Sequence, residues 1–305
     1  MGWRVSGGDT FRAVERTESA LAFGRSGRLV ASNTALVLWL LVTVCGHAAR
    51  AEPGSDNALL QQGYAYMYNL QFDAAHRVLH QYEQSHPKDP MGPVSDAAAY
   101  LFYAFDELKL LRSDRFLDDQ KFLSATKSIA DSRTTQAFEQ ALGKGHELVE
   151  NALYNSPGDK NALLANVIRI TLQSDYDALI EKQYWRALQE IKQSQRDADK
   201  LLAICPKCYD ANLAIGVENY LLSLRPAPER WFLRLTGAQT SKEKGLQKLT
   251  VVAQKGRFLK PYAKFLLVIA ALRDKKPVEA KRLLSELVRE FPQNSMFRSE
   301  LQKLG

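Results

Sequence analysis

Apolar residues recur at three- and four-residue spacing almost throughout the chain after residue 56, and strict alternation is rare. This spacing predicts α-helices rather than β-strands. The clearest example is NALLQQGYAYMYNLQFDAAHRVLHQYEQSHP, residues 57–87, which predicts two tightly joined helices ended by Pro87. The predicted faces of the two helices are Leu59, Gly63, Tyr66 and Leu70, and then Phe72, Ala75, Leu79 and Tyr82.

The same segment resembles a tetratricopeptide repeat (TPR). Gly63, Tyr66, Phe72, Ala75 and Pro87 stand at the characteristic offsets of that repeat. Small residues at Gly63 and Ala75 let two antiparallel helices approach closely, and the aromatic residues fill the space beside them. Because one repeat cannot bury its own apolar face, the resemblance implies a stack of helical hairpins with a concave face.

Further helical segments end at prolines, which suggests that the unit recurs along the chain. These prolines are Pro157, Pro206 and Pro292, and the unequal gaps between them indicate an irregular array. In the last segment Ala271, Ala280, Leu284 and Leu287 fall at matching offsets. We therefore predict an all-α, irregular TPR-like helical-hairpin solenoid of roughly twelve helices. It forms a single domain over residues 52–305, with an insertion at 113–136.

Residues 209–291 resemble a second group, the tetratricopeptide repeat protein 39 family and its fungal inclusion-body-clearance relatives. The resemblance rests on Gly216, the run Leu222–Ser223–Leu224 followed by a proline, and a Gly-Leu-x-x-Leu from Gly245 to Leu249. Where that family carries Gly-Asp-Arg, this chain has Thr240, Ser241 and Lys242. The resemblance implies repeats and protein interactions, in proteins that are intracellular.

The first 51 residues have the pattern of a leader with a secretory signal peptide. Arg25 and Arg28 precede an uncharged, largely apolar run over residues 29–45, and Ala49 and Ala51 fit a small-residue cleavage site. We expect cleavage after Ala51 and a periplasmic or secreted protein. The alternative is a membrane anchor through residues 29–45, the one form of membrane contact expected. Cys45 as a lipoprotein site is disfavoured by the bulky Val44 before it.

The charge distribution argues against nucleic-acid binding. The formal net charge is +7, but the leader holds six basic and three acidic residues, which leaves +4 after residue 51. No run of five basic residues occurs, and a nucleic-acid-binding domain clusters its positive charge. We expect no nucleic-acid partner.

Cys205 and Cys208 enclose a proline and a lysine and admit several interpretations. A thioredoxin-like motif follows a strand, a haem site needs histidine where Tyr209 stands, and zinc needs two further ligands. A local disulfide in a turn is favoured, and free thiols are the main alternative. Redox chemistry or metal binding stays open as the weakest interpretation.

Two other clusters are candidates for sites. His76 and His80 are four residues apart, with Asp73 as a third candidate metal ligand, but HRVLH lacks the glutamate of a zincin motif, so no metal site is predicted. Within the insertion, the candidate lid consists of Phe116, Asp118, Asp119 and Phe122. We interpret it as a loop that folds its aromatic residues over a groove, rather than as a carboxylate pair for acid–base or cation chemistry.

The stretch RPAPERWFLRLTG, residues 225–237, is suited to contact a membrane or an acidic partner, or to pack between helices. No nucleophile elbow, phosphate-binding loop or dinucleotide fingerprint occurs in the sequence. An enzyme is therefore the least favoured class, and no catalytic residue or cofactor is predicted.

The favoured function is an exported scaffold that binds a protein or peptide in its concave groove. By repeat geometry, Tyr64, Met67 and Tyr68 would line the groove in the first unit and Arg273 in the last. The alternative is a carrier that holds a lipid or apolar small molecule between helices, beneath the candidate lid.

Overall fold

The computed structural model describes residues 56–118, 122, 126–224 and 241–305. Within this part of the chain there are eleven α-helices and no strands. The helices are α1 (Asp56–Tyr68), α2 (Phe72–Ser85), α3 (Met91–Glu107), α4 (Ser132–Asn155), α5 (Lys160–Leu179), α6 (Tyr184–Ile204), α7 (Asn212–Ser223), α8 (Lys242–Lys255), α9 (Lys260–Arg273), α10 (Pro277–Glu290) and α11 (Ser295–Gln302). The leader and residues 225–240 lie outside the described residues.

Each helix packs against the next helix in the chain, so the fold is a succession of helical hairpins. This confirms the predicted all-α fold of helical hairpins, with eleven described helices against the expected twelve or so. Residues Ala51–Gly305 form one compact unit. Across the described residues, no helix combines the length and apolar character needed to cross a membrane.

Gly63 explains how closely the first hairpin packs. A Cβ atom built at Gly63 would lie 2.5 Å from Cδ2 of Leu79 on the facing helix. This is shorter than carbon atoms tolerate, so a larger residue would force the Leu79 side chain to move or the two helices to separate. The close approach predicted from the repeat pattern is confirmed.

Four helices end two residues before a proline, as predicted. Helices α2, α4, α6 and α10 stop before Pro87, Pro157, Pro206 and Pro292. The residue that precedes each proline has left the helical conformation, because the proline ring disfavours helical geometry there. Local sequence alone therefore sets these helix ends.

The insertion differs in extent from the prediction. Residues 108–131 connect α3 to α4, and the last five residues of the expected 113–136 segment already belong to α4. The helix starts early because the Asp131 side chain accepts a hydrogen bond from Thr134 N at 3.0 Å, an N-cap that the prediction overlooked. The connection also contains a short 3₁₀ turn, Ser113–Phe116.

The first hairpin contacts the end of the chain directly. Asn294 Nδ2 donates to Tyr68 O at 2.8 Å, and Gln293 N donates to Asn69 Oδ1 at 3.2 Å. The rings of Tyr68 and Phe291 lie 5.5 Å apart. The C-terminal end of α1 is therefore in contact with the connection between the last two helices.

Candidate functional site

Three of the four predicted groove residues are core residues. Tyr64, Met67 and Tyr68 are 4%, 1% and 3% exposed. Phe258 lies 5.1 Å from the Tyr64 ring, and Phe102 lies 5.6 Å from the Tyr68 ring. The prediction of an open groove at these positions needs correction, because distant segments cover the concave side of α1. These side chains therefore offer almost no exposed surface to a peptide.

Arg273, the fourth predicted groove residue, is half-buried and lies elsewhere. Its guanidinium donates to the backbone oxygen of Phe116 in the candidate lid. Arg273 therefore holds the insertion against α9 and does not share a surface with Tyr64. Met67 and Tyr68 line a separate, smaller cavity of about 210 Å³ beside α11.

A larger space, here called the apolar cavity, lies between α5, α6, α7 and α9. Its volume is about 460 Å³, within the range of small-molecule binding sites. Most of its wall is aliphatic or aromatic. The apolar lining residues include Leu111, Ala178, Leu179, Ala187, Leu188, Ile191, Val217, Leu221, Leu222, Leu224, Leu249, Phe265, Leu266 and Ile269.

The candidate lid contributes two aromatic rings to this cavity. Phe116 and Phe122 both line it, with ring centroids 5.7 Å apart. Tyr184 OH donates to Phe122 O at 2.8 Å, and its ring lies 5.5 Å from the Phe122 ring. The lid aromatics are thus held by α6 on one side and by Arg273 of α9 on the other. Asp118 is half-buried and is not among the described lining residues of the cavity. Asp119 is not among the residues that the structure describes.

Asp175 of α5 places a carboxylate in the cavity wall. Its Oδ2 accepts a hydrogen bond from Tyr262 OH at 3.0 Å. Burial raises the pKa of Asp175 to about 7, and the Tyr262 hydrogen bond opposes that shift. The charged form of Asp175 is therefore less favourable here than it is for an exposed aspartate.

Glu218 of α7 is the second acidic group of the lining and is 1% exposed. Neither carboxylate oxygen has a hydrogen-bond partner among the described residues. Burial raises the pKa of Glu218 to about 7, against the attraction of Lys192 and Arg196. Ser174, by contrast, is satisfied, because its hydroxyl donates to Ala187 O at 2.9 Å.

Neither acid is among the site residues predicted from the sequence. Asp175 is three residues after Leu172 and four before Leu179, and Glu218 is three after Ile215 and four before Leu222. An acidic residue within the apolar stripe of a helix was the available signal. Such a residue is buried, and burial perturbs its pKa.

His76 and His80 meet at one buried carboxylate, that of Asp96 on α3. His76 Nδ1 lies 2.6 Å from Asp96 Oδ1, and His80 Nε2 lies 3.2 Å from Oδ2. Together His80, Glu83 and Asp96 could hold a metal ion, with ligand atoms within 4.8 Å of one another. Asp73 is not in this set. Glu83 is already paired with Lys144 at 2.6 Å, so the contacts also account for a structural cluster.

Cys205 and Cys208 form a disulfide across the turn between α6 and α7, with an S–S distance of 2.11 Å. The turn also contains a hydrogen bond from Cys208 N to Cys205 O at 3.0 Å. Neither cysteine is among the described lining residues of the apolar cavity. The pair therefore stabilises a helix junction, and its oxidation in the cell stays a prediction.

Thiol titration of the exported protein tests that prediction. Under denaturing, non-reducing conditions we expect no free thiol in a chain cleaved after Ala51, and one, from Cys45, in an uncleaved chain. The double variant Cys205→Ser/Cys208→Ser is expected to lower the free energy of unfolding by roughly 2 kcal/mol, because the closed loop is short. Two free thiols in the cleaved protein would contradict the prediction.

Comparisons with known proteins assign no family. No family model matches the chain, and no curated protein matches it. Among solved structures, the chain is similar to TTC0263, a thermophilic TPR protein from Thermus thermophilus, at 12% sequence identity and a TM-score of 0.43. That alignment covers 82% of this chain and 98% of the other. The resemblance of residues 209–291 to the tetratricopeptide repeat protein 39 family stays a prediction.

Proposed function

We propose that this protein is a non-catalytic binding protein whose apolar cavity holds an apolar small molecule or a lipid chain. The observation that carries the proposal is the cavity itself, about 460 Å³ and lined largely by aliphatic and aromatic side chains. Ligand sites are typically concave and mostly apolar, with a few polar groups that orient the ligand. Asp175, Glu218 and Arg273 would be those groups here.

The contacts within the cavity favour binding over catalysis. The one serine among the described lining residues donates to a backbone oxygen and not to a base. A nucleophile would need a general base within hydrogen-bond distance. The lid aromatics are held in place by Tyr184 and Arg273, which suits a site that retains a ligand.

Native mass spectrometry of the gently purified protein tests the proposal, followed by titration with dodecanol. We expect a copurified or added ligand bound to the wild-type protein. Ala178→Phe is expected to weaken dodecanol binding at least tenfold, because Ala178 lines the cavity and a phenyl ring there would occupy the space.

Ala203→Phe is the matched control, since Ala203 lies on the exposed side of α6. It should leave the dissociation constant for dodecanol unchanged. Equal dodecanol affinity in both variants, each shown to be folded by circular dichroism, would contradict binding in the cavity.

A scaffold for a protein or peptide partner is the second candidate. Helical-hairpin arrays are generally involved in protein interactions, and they bind through extended surfaces. Trp185 supports this candidate, because it is 78% exposed and lies beside the lid contact Tyr184. A protein that carries no copurified small molecule and does not bind dodecanol would favour the scaffold. For both candidates we also propose export to the periplasm or the medium, because the first 51 residues have the pattern of a leader with a signal peptide.

A further inference from the structure

Asp175 combines burial with access to the apolar cavity. Burial raises its pKa to about 7, yet the side chain keeps intermediate accessibility. Asp175 lines the apolar cavity, and it also borders a much smaller space of about 20 Å³ beside Tyr64. Tyr262 OH donates to Oδ2, and the structure records no hydrogen bond to Oδ1 from any described residue. A carboxylate oxygen is therefore available to a molecule within the cavity.

The described lining of the apolar cavity holds two carboxyl groups, Asp175 and Glu218, and one guanidinium group. Among the described lining residues, Glu218 of α7 is the second carboxyl group and Arg273 of α9 is the one basic group. The Arg273 guanidinium already donates to Phe116 O in the lid. Tyr262 supplies Asp175 with a single neutral hydrogen bond. A buried carboxylate with so little compensation is unfavourable, and a cationic donor would relieve it.

We propose that the ligand of the apolar cavity is an amphiphile with one alkyl chain and one protonated amine, and that Asp175 binds the amine. This inference rests on the proposed function, since it names the head group of the molecule that the cavity holds. The alkyl chain contacts the aliphatic wall, and the ammonium group donates to Asp175 Oδ1. Charge-assisted hydrogen bonds of this kind are about twice as strong as neutral ones.

The geometry disfavours the opposite head group. A fatty-acid carboxylate would meet two carboxyl groups in the lining, and like charges in a site of low polarity repel each other. Its one basic partner among the described lining residues would be Arg273, which would have to leave the lid. A neutral alcohol would incur neither penalty but would gain only an ordinary hydrogen bond to Asp175.

Isothermal titration at pH 8 with dodecylamine, dodecanol and dodecanoate tests the inference, with the two ionic ligands below their micellar concentrations and dodecanol below its solubility limit. At that pH a primary amine is protonated, and pH 8 lies above the pKa of about 7 to which burial raises Asp175. We expect the wild-type protein to bind dodecylamine at least tenfold more tightly than either of the other two. Asp175→Asn should remove this preference while it leaves dodecanol affinity within about threefold.

Asp199→Asn is the matched control, because Asp199 is an exposed acid on α6. It should keep the preference for the amine. Glu218→Gln distinguishes the two acids of the lining. If Glu218→Gln lost the tighter binding of dodecylamine while Asp175→Asn kept it, the assignment of the amine to Asp175 would be overturned.

The outcomes separate this inference from the proposed function. Binding of none of the three ligands would refute the cavity as a ligand site, and the head-group inference with it. Equal affinity for all three, or tightest binding of dodecanoate, would overturn the amine while the cavity remains a binding site.

Discussion

Gly245→Ala is expected to destabilise the protein by roughly 3 kcal/mol, a large loss for the addition of a single methyl group. A Cβ atom at Gly245 would lie 2.6 Å from Tyr220 N and 2.9 Å from Gly216 O on the facing helix α7. These are backbone atoms, so they cannot rotate away as a side chain can. Helix α8 would have to move off α7, and thermal unfolding should show a melting temperature lower by about 5–10 °C.

Gly143→Ala is the matched control for this substitution. Gly143 is exposed on α4, and a Cβ atom there would have no neighbour within 4 Å. Since alanine favours the helix over glycine, this variant should gain about 0.5–1 kcal/mol. If the two variants melted at nearly the same temperature, the close contact between α7 and α8 would be refuted. Because α7 also carries Val217 and Glu218, the Gly245 variant is expected to weaken dodecanol binding as well.

Asp210→Ala is expected to cost about 4 kcal/mol, the second large effect. The Asp210 carboxylate is buried and accepts backbone hydrogen bonds from three consecutive residues before α9. Oδ1 accepts from Arg257 N at 3.0 Å, Phe258 N at 3.2 Å and Leu259 N at 2.9 Å, and Oδ2 accepts from Arg257 N at 2.9 Å. Alanine would leave these amide groups without their acceptor in the interior. Urea unfolding measures the loss.

Asp159→Ala provides the comparison, since Asp159 caps only its own helix. Its Oδ1 accepts from Asn161 N and Ala162 N at 2.9 Å, and loss of such a cap typically costs about 1 kcal/mol. Asp210→Asn should fall between the two alanine variants, because it keeps one acceptor oxygen. Equal losses of stability for Asp210→Ala and Asp159→Ala would contradict the role given to Asp210, which is to hold the residues before α9.

The features that local sequence encodes were predicted well. Helical periodicity, the proline-ended segments and the close approach at Gly63 all depend on residues within one hairpin. Asp159 and Asn294 follow two residues after Pro157 and Pro292, and each caps the next helix. The segment after Pro206 departs from this pattern. Its acidic residue, Asp210, follows the proline by four residues and accepts hydrogen bonds from the residues just before α9 instead of capping the next helix.

The features that distant segments create could not be predicted in the same way. Tyr64 and Tyr68 stand where an open repeat array exposes its inner face, and contacts with the distant residues Phe258 and Phe291 help to make them interior. The apolar cavity likewise needs α5, α7 and α9 together, and no single segment contains its wall. Helical periodicity shows which face is apolar, but it does not show what covers that face.

The contact between the first hairpin and the end of the chain affects the order of folding. The backbone oxygen of Tyr68 accepts its hydrogen bond from Asn294, which is 226 residues later in the chain. In an open array each repeat completes its packing on the repeat made just before it. Here the contacts of Tyr68 with Phe291 and Asn294 form only once the end of the chain has been made. The first hairpin therefore reaches its full set of contacts only when the connection between α10 and α11 is in place.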